Sequence, residues 1–477
     1  MADKTAITIY STASPGTLDA QQLAQHGSHI PGYAMVKQER TVPIKKGAFE
    51  YAFTDVSAQI DPTTVTFTIP ENPEIAHVLE QSYQFDLVNT EKLLQKYIDQ
   101  NISVTFNSGD SSKTIEGTLL SASGGLVLSA NSGQIVTLND WQHIRYPSLP
   151  GGLLTKPTLL WRLKGQKNGD YQSRVTYQTQ GITWWTDYNL LLEEKNNNCS
   201  FDLGAWVTII NQSGASYAQA QLKLIAGDVN RVSAPNVHPQ VMMRSTAVAE
   251  EDTGFQEKAF FEYHLYTLQR PVDLLNNATK QLELMPAVSE VSCHKRLDFD
   301  FTRAGRFNHR RPITDRNYYL TSNAKAEVFI DFKNDTKSGL GIPLPAGRVR
   351  VNQLDSDGSV EFIGEDLIQH TPKNEAVSIK LGEAFDVVGE RTQQDFQLRQ
   401  NGLSETFRIS LRNQKTQTQT VRLTEHLYRW SNWSIQDASH EHKKANASSI
   451  VFEVKIAPES EAIISYTVDY NWPQLKK

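Results

Sequence analysis

Apolar residues recur at every second position through most of this chain. Between residues 405 and 472, Phe407, Ile409 and Leu411 alternate with polar neighbours, as do Val421, Leu423 and Glu425, then Ile450, Phe452, Val454 and Ile456, then Ile464, Tyr466, Val468 and Tyr470. Successive side chains of a strand point to opposite faces, so these runs predict half-buried antiparallel strands. Together they predict a C-terminal β-sandwich of immunoglobulin-like size. Longer strands are predicted in "YQSRVTYQTQGITWWTDYNLLLEE" and "CSFDLGAWVTIINQSG", where Leu203, Val207 and Ile209 alternate with Gly204 and Thr208. Near the start, "YAMVKQERTVPIKKGAFEYAFTDV" gives two strands about a Lys46-Gly47 turn, and "TVTFTI" follows a turn at Asp61-Pro62.

One segment changes to helical spacing. In "NTEKLLQKYIDQ", Asn89 or Thr90 can cap a helix whose one face carries Leu93, Leu94, Tyr97 and Ile98. It is too short to stand alone and is expected to pack on a sheet. The short strands "ISVTF", "TIEGTLLSA", "GLVLSA" and "QIVTL", separated by Gly-rich turns, predict a small closed barrel of the SH3-like kind. "PSLPGGLLTKP" reads as a linker, and residues 232–258, which lose all periodicity, as a long mobile loop. The expected fold is mostly β with few helices, in several β-domains. These are an N-terminal β-rich domain at 1–100 with the helix, the barrel at 101–147, a central β-domain or domains at 157–400 and the sandwich at 401–477. A chain of 477 residues has room for them.

Charge and composition narrow the partners. With 47 basic and 53 acidic residues and no dense Lys/Arg block, neither nucleic acid nor an anionic membrane is an expected partner. No apolar run approaches the roughly 20 residues of a membrane span. The start "MADKTAITIY" lacks the basic and apolar regions of a signal peptide; a mature secreted chain given a new initiator Met and a cytoplasmic protein both fit it. Cys199 and Cys293 are read first as two free, mostly buried thiols, with one disulfide as the alternative that an oxidising compartment allows. The pairs His26/His29 and His440/His442 lack a third ligand, and neither a Gly-x-Ser-x-Gly elbow nor a phosphate loop is present. No metal and no cofactor are expected.

The stretch richest in chemistry is "GLGIPLPAGRVRVNQLDSDGSVEFIGEDLIQHTP", residues 339–372. Arg348 and Arg350 flank Val349, so both guanidinium groups point to one face. With Glu365, Asp366 and His370 they form the candidate ligand-binding set, suited to a carboxylate, sulfate or phosphate. The competing and weightier reading is a solvated hairpin. There the arginines pair across strands with Glu361, Glu365 or Glu390, each pair worth roughly 0.2–1 kcal/mol. In that hairpin Asp357-Gly358 is the tip, Val349 and Val351 line one face, and Gly347 closes its turn at positive φ. Trp184-Trp185 and Trp430/Trp433 could stack on sugars but are read as core and sheet cover.

The phrases "ITWWTDYNLLL", "GAWVTIINQSGASYAQAQLKLIAGDVN", "FFEYHLYTLQRPVDL", "GLGIPLPAGRVRV", "FIGEDLIQHTPKNEAVSIKLGEAFDVVGER" and "WSNWSI" occur together and in order. Over residues 171–472 they resemble the bacterial domain-of-unknown-function family found at the C-terminal end of mucoidy-inhibitor-A-like proteins. That resemblance implies a β-rich, often exported, envelope-associated protein without an assigned reaction. Its compartment would be periplasmic or extracellular, and its partner itself, another envelope protein or a polysaccharide. Such proteins often begin with a coiled-coil-bearing domain, where this chain has the short helix and the expected barrel. The function expected is therefore a non-catalytic envelope or secreted protein that binds or assembles. Two alternatives stand beside it: a hydrolase of an envelope polysaccharide, and a structural protomer of an array. A cleft with convergent acids would favour the enzyme, and a flat surface with a large apolar patch would favour assembly.

Overall fold

Alternating apolar positions close into two large cores in the computed structural model, which describes residues 4–10, 30–84, 88–108, 111–151, 153–195, 198–227, 229, 254–301, 311–318 and 321–473. In the C-terminal core, Phe407, Ile409 and Leu411 of strand Gly402–Asn413 pack with Val421 and Leu423 of Gln419–His426. Phe452 and Val454 of Ser449–Ile456 join them, with Ile464 and Tyr466 of Ser460–Asn471. The larger core lies between two sheets. Ile9, Val36, Tyr177 and Leu222 come from one; Leu190, Phe201, Val207 and Val351 come from the other.

The N-terminal strands belong to that larger core. Lys4–Tyr10 pairs in parallel with Tyr217–Ala226, and Tyr33–Ile44 pairs with Gly169–Gln180, so the first strands are bound to partners 125 or more positions away. The second sheet continues without a break across the expected boundary at residue 400, because Ala376–Arg399 turns tightly into Gly402–Asn413. Three of its strands serve both cores. Ala278–Asp300 gives Leu282 and Val291 to the first and Leu297 and Phe299 to the second. Thr321–Lys333 gives Ile330 and Ala326, and Ala376–Arg399 gives Ile379 and Val387. Arg296 crosses these strands where one core passes into the other. Its guanidinium donates to Asp331 Oδ2 (2.7 Å), to Ser378 Oγ (3.1 Å) and to Asp298, and lies 4.5 Å from the Phe329 ring centroid. Burial raises the Asp331 carboxyl, but the bonds from Arg296 and Ser378 and the Arg296 charge together hold it below its ordinary value.

The C-terminal core also encloses charges. Glu425 Oε2 accepts from Arg391 Nε at 2.9 Å and from the Tyr466 hydroxyl, and the Arg391 guanidinium lies 3.7 Å from the Phe407 ring centroid. Burial first, and the Glu425 charge second, push the Tyr466 phenol well above its ordinary pKa, so it stays a donor. Nearby, Arg429 pairs with Glu405 at 2.6 Å and donates to the carbonyls of Ile313, Asp315 and Tyr318, tying residues 311–318 to the C-terminal core.

The expected barrel is an open sheet. His143–Arg145, Asn101–Ser108, Ser111–Ser121, Leu126–Ala130 and Ile135–Leu138 follow one another in that spatial order, and no ladder joins the outer two among the described residues. The outer strands are only three and four residues long, and the helix Thr90–Lys96 packs on the sheet through Leu94, beside Tyr97. Asn89 caps this helix, its Oδ1 accepting from Lys92 N at 2.8 Å. Among the described residues no helix is long and apolar enough to cross a membrane.

Three further expectations are revised. Cys199 and Cys293 are not free thiols. They are direct partners on adjacent antiparallel strands, their Cα atoms are 5.0 Å apart, and they form a disulfide. Of residues 232–258, 232–253 lie outside the described residues, while 255–258 fall in the strand Phe255–Phe260, paired with Tyr263–Leu268. His26 and His29 also lie outside the described residues. The hairpin about Asp357-Gly358 is present, with Gly358 at φ +85°, but Gly347 is not at positive φ. Gly347 is needed for close approach, since a Cβ there would stand 2.2 Å from the Thr186 carbonyl oxygen of the neighbouring parallel strand.

Replacing both Cys199 and Cys293 with Ser removes a link between residues 94 apart in sequence and should lower unfolding stability by roughly 2–5 kcal/mol. Urea unfolding of the two proteins measures this; equal midpoints, or two titratable thiols in the denatured wild type, would contradict the bridge.

Candidate functional site

The predicted arginines lie on one strand of a five-strand face. Gly347–Leu354 pairs with Val360–Ile368 on one side and in parallel with Ile182–Lys195 on the other. The sheet continues through Asn198–Asn211 to Ala278–Asp300. One side of this sheet is core, carrying Tyr188, Leu190, Val349, Val351, Leu203, Val207 and Leu282. Register then fixes the outward side. Leu367, Arg348, Asp187, Trp206 and Glu283 are successive partners across the five strands, and Glu365, Arg350, Asn189 and Gly204 form the next row. At the usual strand spacing the longer row spans about 19 Å.

Asp187 organises the centre. It is only 7% exposed. Its Oδ2 accepts from Trp185 Nε1 at 2.9 Å and from Thr208 Oγ1 at 2.6 Å, and Thr208 Oγ1 in turn accepts from Gln281 Nε2 at 3.1 Å. Asp187 Oδ1 faces Arg350 NH1 at 3.5 Å, and Arg350 Nε faces Glu365 Oε2 at 3.7 Å. Arg350 is thus a bridge between two carboxylates. Arg348, one row away, makes no side-chain hydrogen bond or ion pair among the described residues.

The structure divides the five candidate residues. Arg348, Arg350 and Glu365 share the outward face. Asp366 is the partner of Val349 and turns to the other side, where its Oδ2 accepts from Lys380 N and its Oδ1 from Leu367 N, both at 2.8 Å. It ties this outer strand to Ala376–Arg399. His370 Nδ1 accepts from Ala346 N at 3.0 Å and so fastens the turn before Gly347. Tyr188 holds the same turn from the core side, its hydroxyl donating to Pro345 O at 2.8 Å; burial pushes this phenol far up in pKa, which keeps the donor proton in place.

Two residues of this face were not singled out by the sequence. Asp187 is one and Trp206 the other. The Trp206 indole lies across Gly204, where an added Cβ would be 3.8 Å from its Nε1, and Trp206 remains 40% exposed. The signal was the alternation itself: with Leu203, Val207 and Ile209 inward, Trp206 must face outward with Gly204 and Thr208. The paired tryptophans behave differently. Trp184 is core, edge-on to Tyr266 at 6.4 Å, and Trp185 is covered by Ile30 and Ile210. Trp430 and Trp433 are partly buried against the C-terminal core.

Chemically, the face offers an open aromatic plate, one guanidinium unpaired among the described residues, and the exposed polar groups of Asn189, Gln281 and Glu283. Asp187 and Glu365 are each engaged by Arg350. Among the described residues no group of three His, Cys, Asp or Glu is placed to hold a metal ion. No family model matches the chain, and no curated protein matches it.

Asp187→Ala leaves the Trp185 and Thr208 donors buried without their acceptor and should cost about 2–3 kcal/mol. Trp206→Ala, at an exposed position, and Arg348→Ala, at a half-buried one with no ion pair among the described residues, should each stay within about 1 kcal/mol of wild type. Chemical unfolding ranks the three, and the reverse order would contradict this division of labour.

Proposed function

We propose that this chain is a non-catalytic envelope or secreted protein that binds an acidic saccharide chain of the cell surface across the face from Arg348 to Glu283. The observation that carries the proposal is the exposed Trp206 ring in the same row as the unpaired Arg348. Folding gains nothing from leaving a large indole open or a guanidinium without an acceptor. A sugar ring supplies an apolar face for the indole, and a uronate supplies a planar carboxylate matched to the guanidinium fork. A flat face spanning about 19 Å suits an extended polymer rather than a small molecule held in a pocket.

Binding is favoured over hydrolysis at this face because the carboxylates of Asp187 and Glu365 both face Arg350 and so are engaged rather than free to flank a glycosidic bond. The Cys199–Cys293 bridge supports an oxidising, extracytoplasmic compartment. Kinship with the mucoidy-inhibitor-A-like family, and an immunoglobulin-like descent of the C-terminal strands, belong to the same proposal.

Affinity electrophoresis in gels containing alginate, polygalacturonate or neutral dextran tests it. The wild type should be retarded by the two polyuronates, more weakly as salt rises, and not by dextran. Trp206→Ala and Arg348→Ala should each weaken retardation about tenfold, which corresponds to about 1.4 kcal/mol. Unretarded wild type, or variants retarded like it, would overturn the proposal.

A further inference from the structure

The strand Ala376–Arg399 loses register with Thr321–Lys333 at one place. Glu383 is the partner of Glu327 and Val388 the partner of Lys325, so residues 384–387 stand opposite the single residue Ala326. Ala384 and Val387 point into the C-terminal core, and Asp386 O accepts from Gln414 N at 2.8 Å. Phe385 is left at the crest of this bulge, 82% exposed. Bulges re-aim side chains at the expense of ladder hydrogen bonds, and here the re-aimed side chain is a phenyl ring in water. The Lys325 ammonium lies 5.1 Å from the ring centroid.

Beside this knob is a groove of about 750 Å³. Its apolar lining includes Phe301, Val388 and Gly389, and its charged lining Asp300, Lys325, Glu327, Glu383 and Arg412. Glu383 makes no hydrogen bond or ion pair among the described residues, and Lys325 has no carboxylate partner among them. One small surface therefore carries an apolar knob, a hole beside it, and an unpaired charge of each sign.

We propose that this surface joins two copies of the chain about a twofold axis, the Phe385 ring of each entering the groove of the other. A knob and hole side by side on one face are the requirement for a closed isologous contact, since each copy presents what the other needs. The charges fit the same operation: Lys325 lies at the edge shared by knob and hole and Glu383 lines the hole, so insertion of each ring carries its Lys325 toward the partner's Glu383. Ring burial supplies the anchor and the two ion pairs fix the register. This interface lies in the C-terminal core region and does not depend on the saccharide reading of the other face.

Sedimentation equilibrium from about 1 to 200 µM tests it over the range in which weak dimers form. The wild type should reach twice the 53.7 kDa chain mass, with Phe385→Asp remaining a monomer of unchanged circular dichroism. Lys325→Glu and Glu383→Lys should each weaken the dimer at least about tenfold, and combining them should restore it, because the swapped charges still face each other. A wild type monomeric at every concentration, a dimer that survives Phe385→Asp, or a double variant no stronger than the singles would overturn the proposal. Retardation of a monomeric wild type by soluble dextran, lost in Phe385→Asp, would assign the groove to a neutral saccharide instead.

Discussion

Strands Ala278–Asp300, Thr321–Lys333 and Ala376–Arg399 pass from one hydrophobic core into the other without leaving their sheet. This places an unusual demand on register. A slip of one residue in any of them would turn its apolar set to solvent in both cores at once. The register is fixed where the cores meet by Arg296, which bonds to Asp331 on the next strand and across it to Ser378 on the strand beyond. Farther along, Arg391 on Ala376–Arg399 reaches Glu425 on Gln419–His426, and an unpaired charge at either position would be costly in so dry a place.

The two proposed surfaces inherit their rigidity from this arrangement. The proposed saccharide face is the outer side of strands whose inner side is the larger core, so Asp187 can hold Arg350 and Trp185 in place without help from loops. Trp206 and Arg348 are then presented by strands that do not need them for folding. The Phe385 knob lies where Ala376–Arg399 breaks step between the cores, a point at which extra residues can be looped out while Ala384 and Val387 remain anchored.

Period two made much of this legible. The apolar runs after residue 405 are buried strand for strand, the Asn89-capped helix packs on a sheet, and the Asp357-Gly358 hairpin has Val349 and Val351 inward. Alternation tells which side a residue faces but not which strand lies beside it. That is why the sequence does not show Cys199 and Cys293 as a pair, nor the first strands as neighbours of Gly169–Gln180 and Tyr217–Ala226. Glu425 shows the same limit: its alternation with Val421 and Leu423 put it on the core side, but the arginine that makes this tolerable comes from another strand. Asp366 and His370 accept from backbone amides, contacts that no side-chain pattern reveals. The barrel expectation failed because short strands and tight turns do not specify closure.

If the three long strands make the two cores one cooperative unit, damage to either core should be felt by the whole. Differential scanning calorimetry of Leu190→Ala, which opens a cavity in the larger core, and Ile409→Ala, which opens one in the C-terminal core, tests this directly. Each should cost about 2–5 kcal/mol. The account predicts that both variants move the same single transition of this region to lower temperature. Two resolved transitions, one shifted only by Leu190→Ala and the other only by Ile409→Ala, would show that the cores unfold independently and would contradict it.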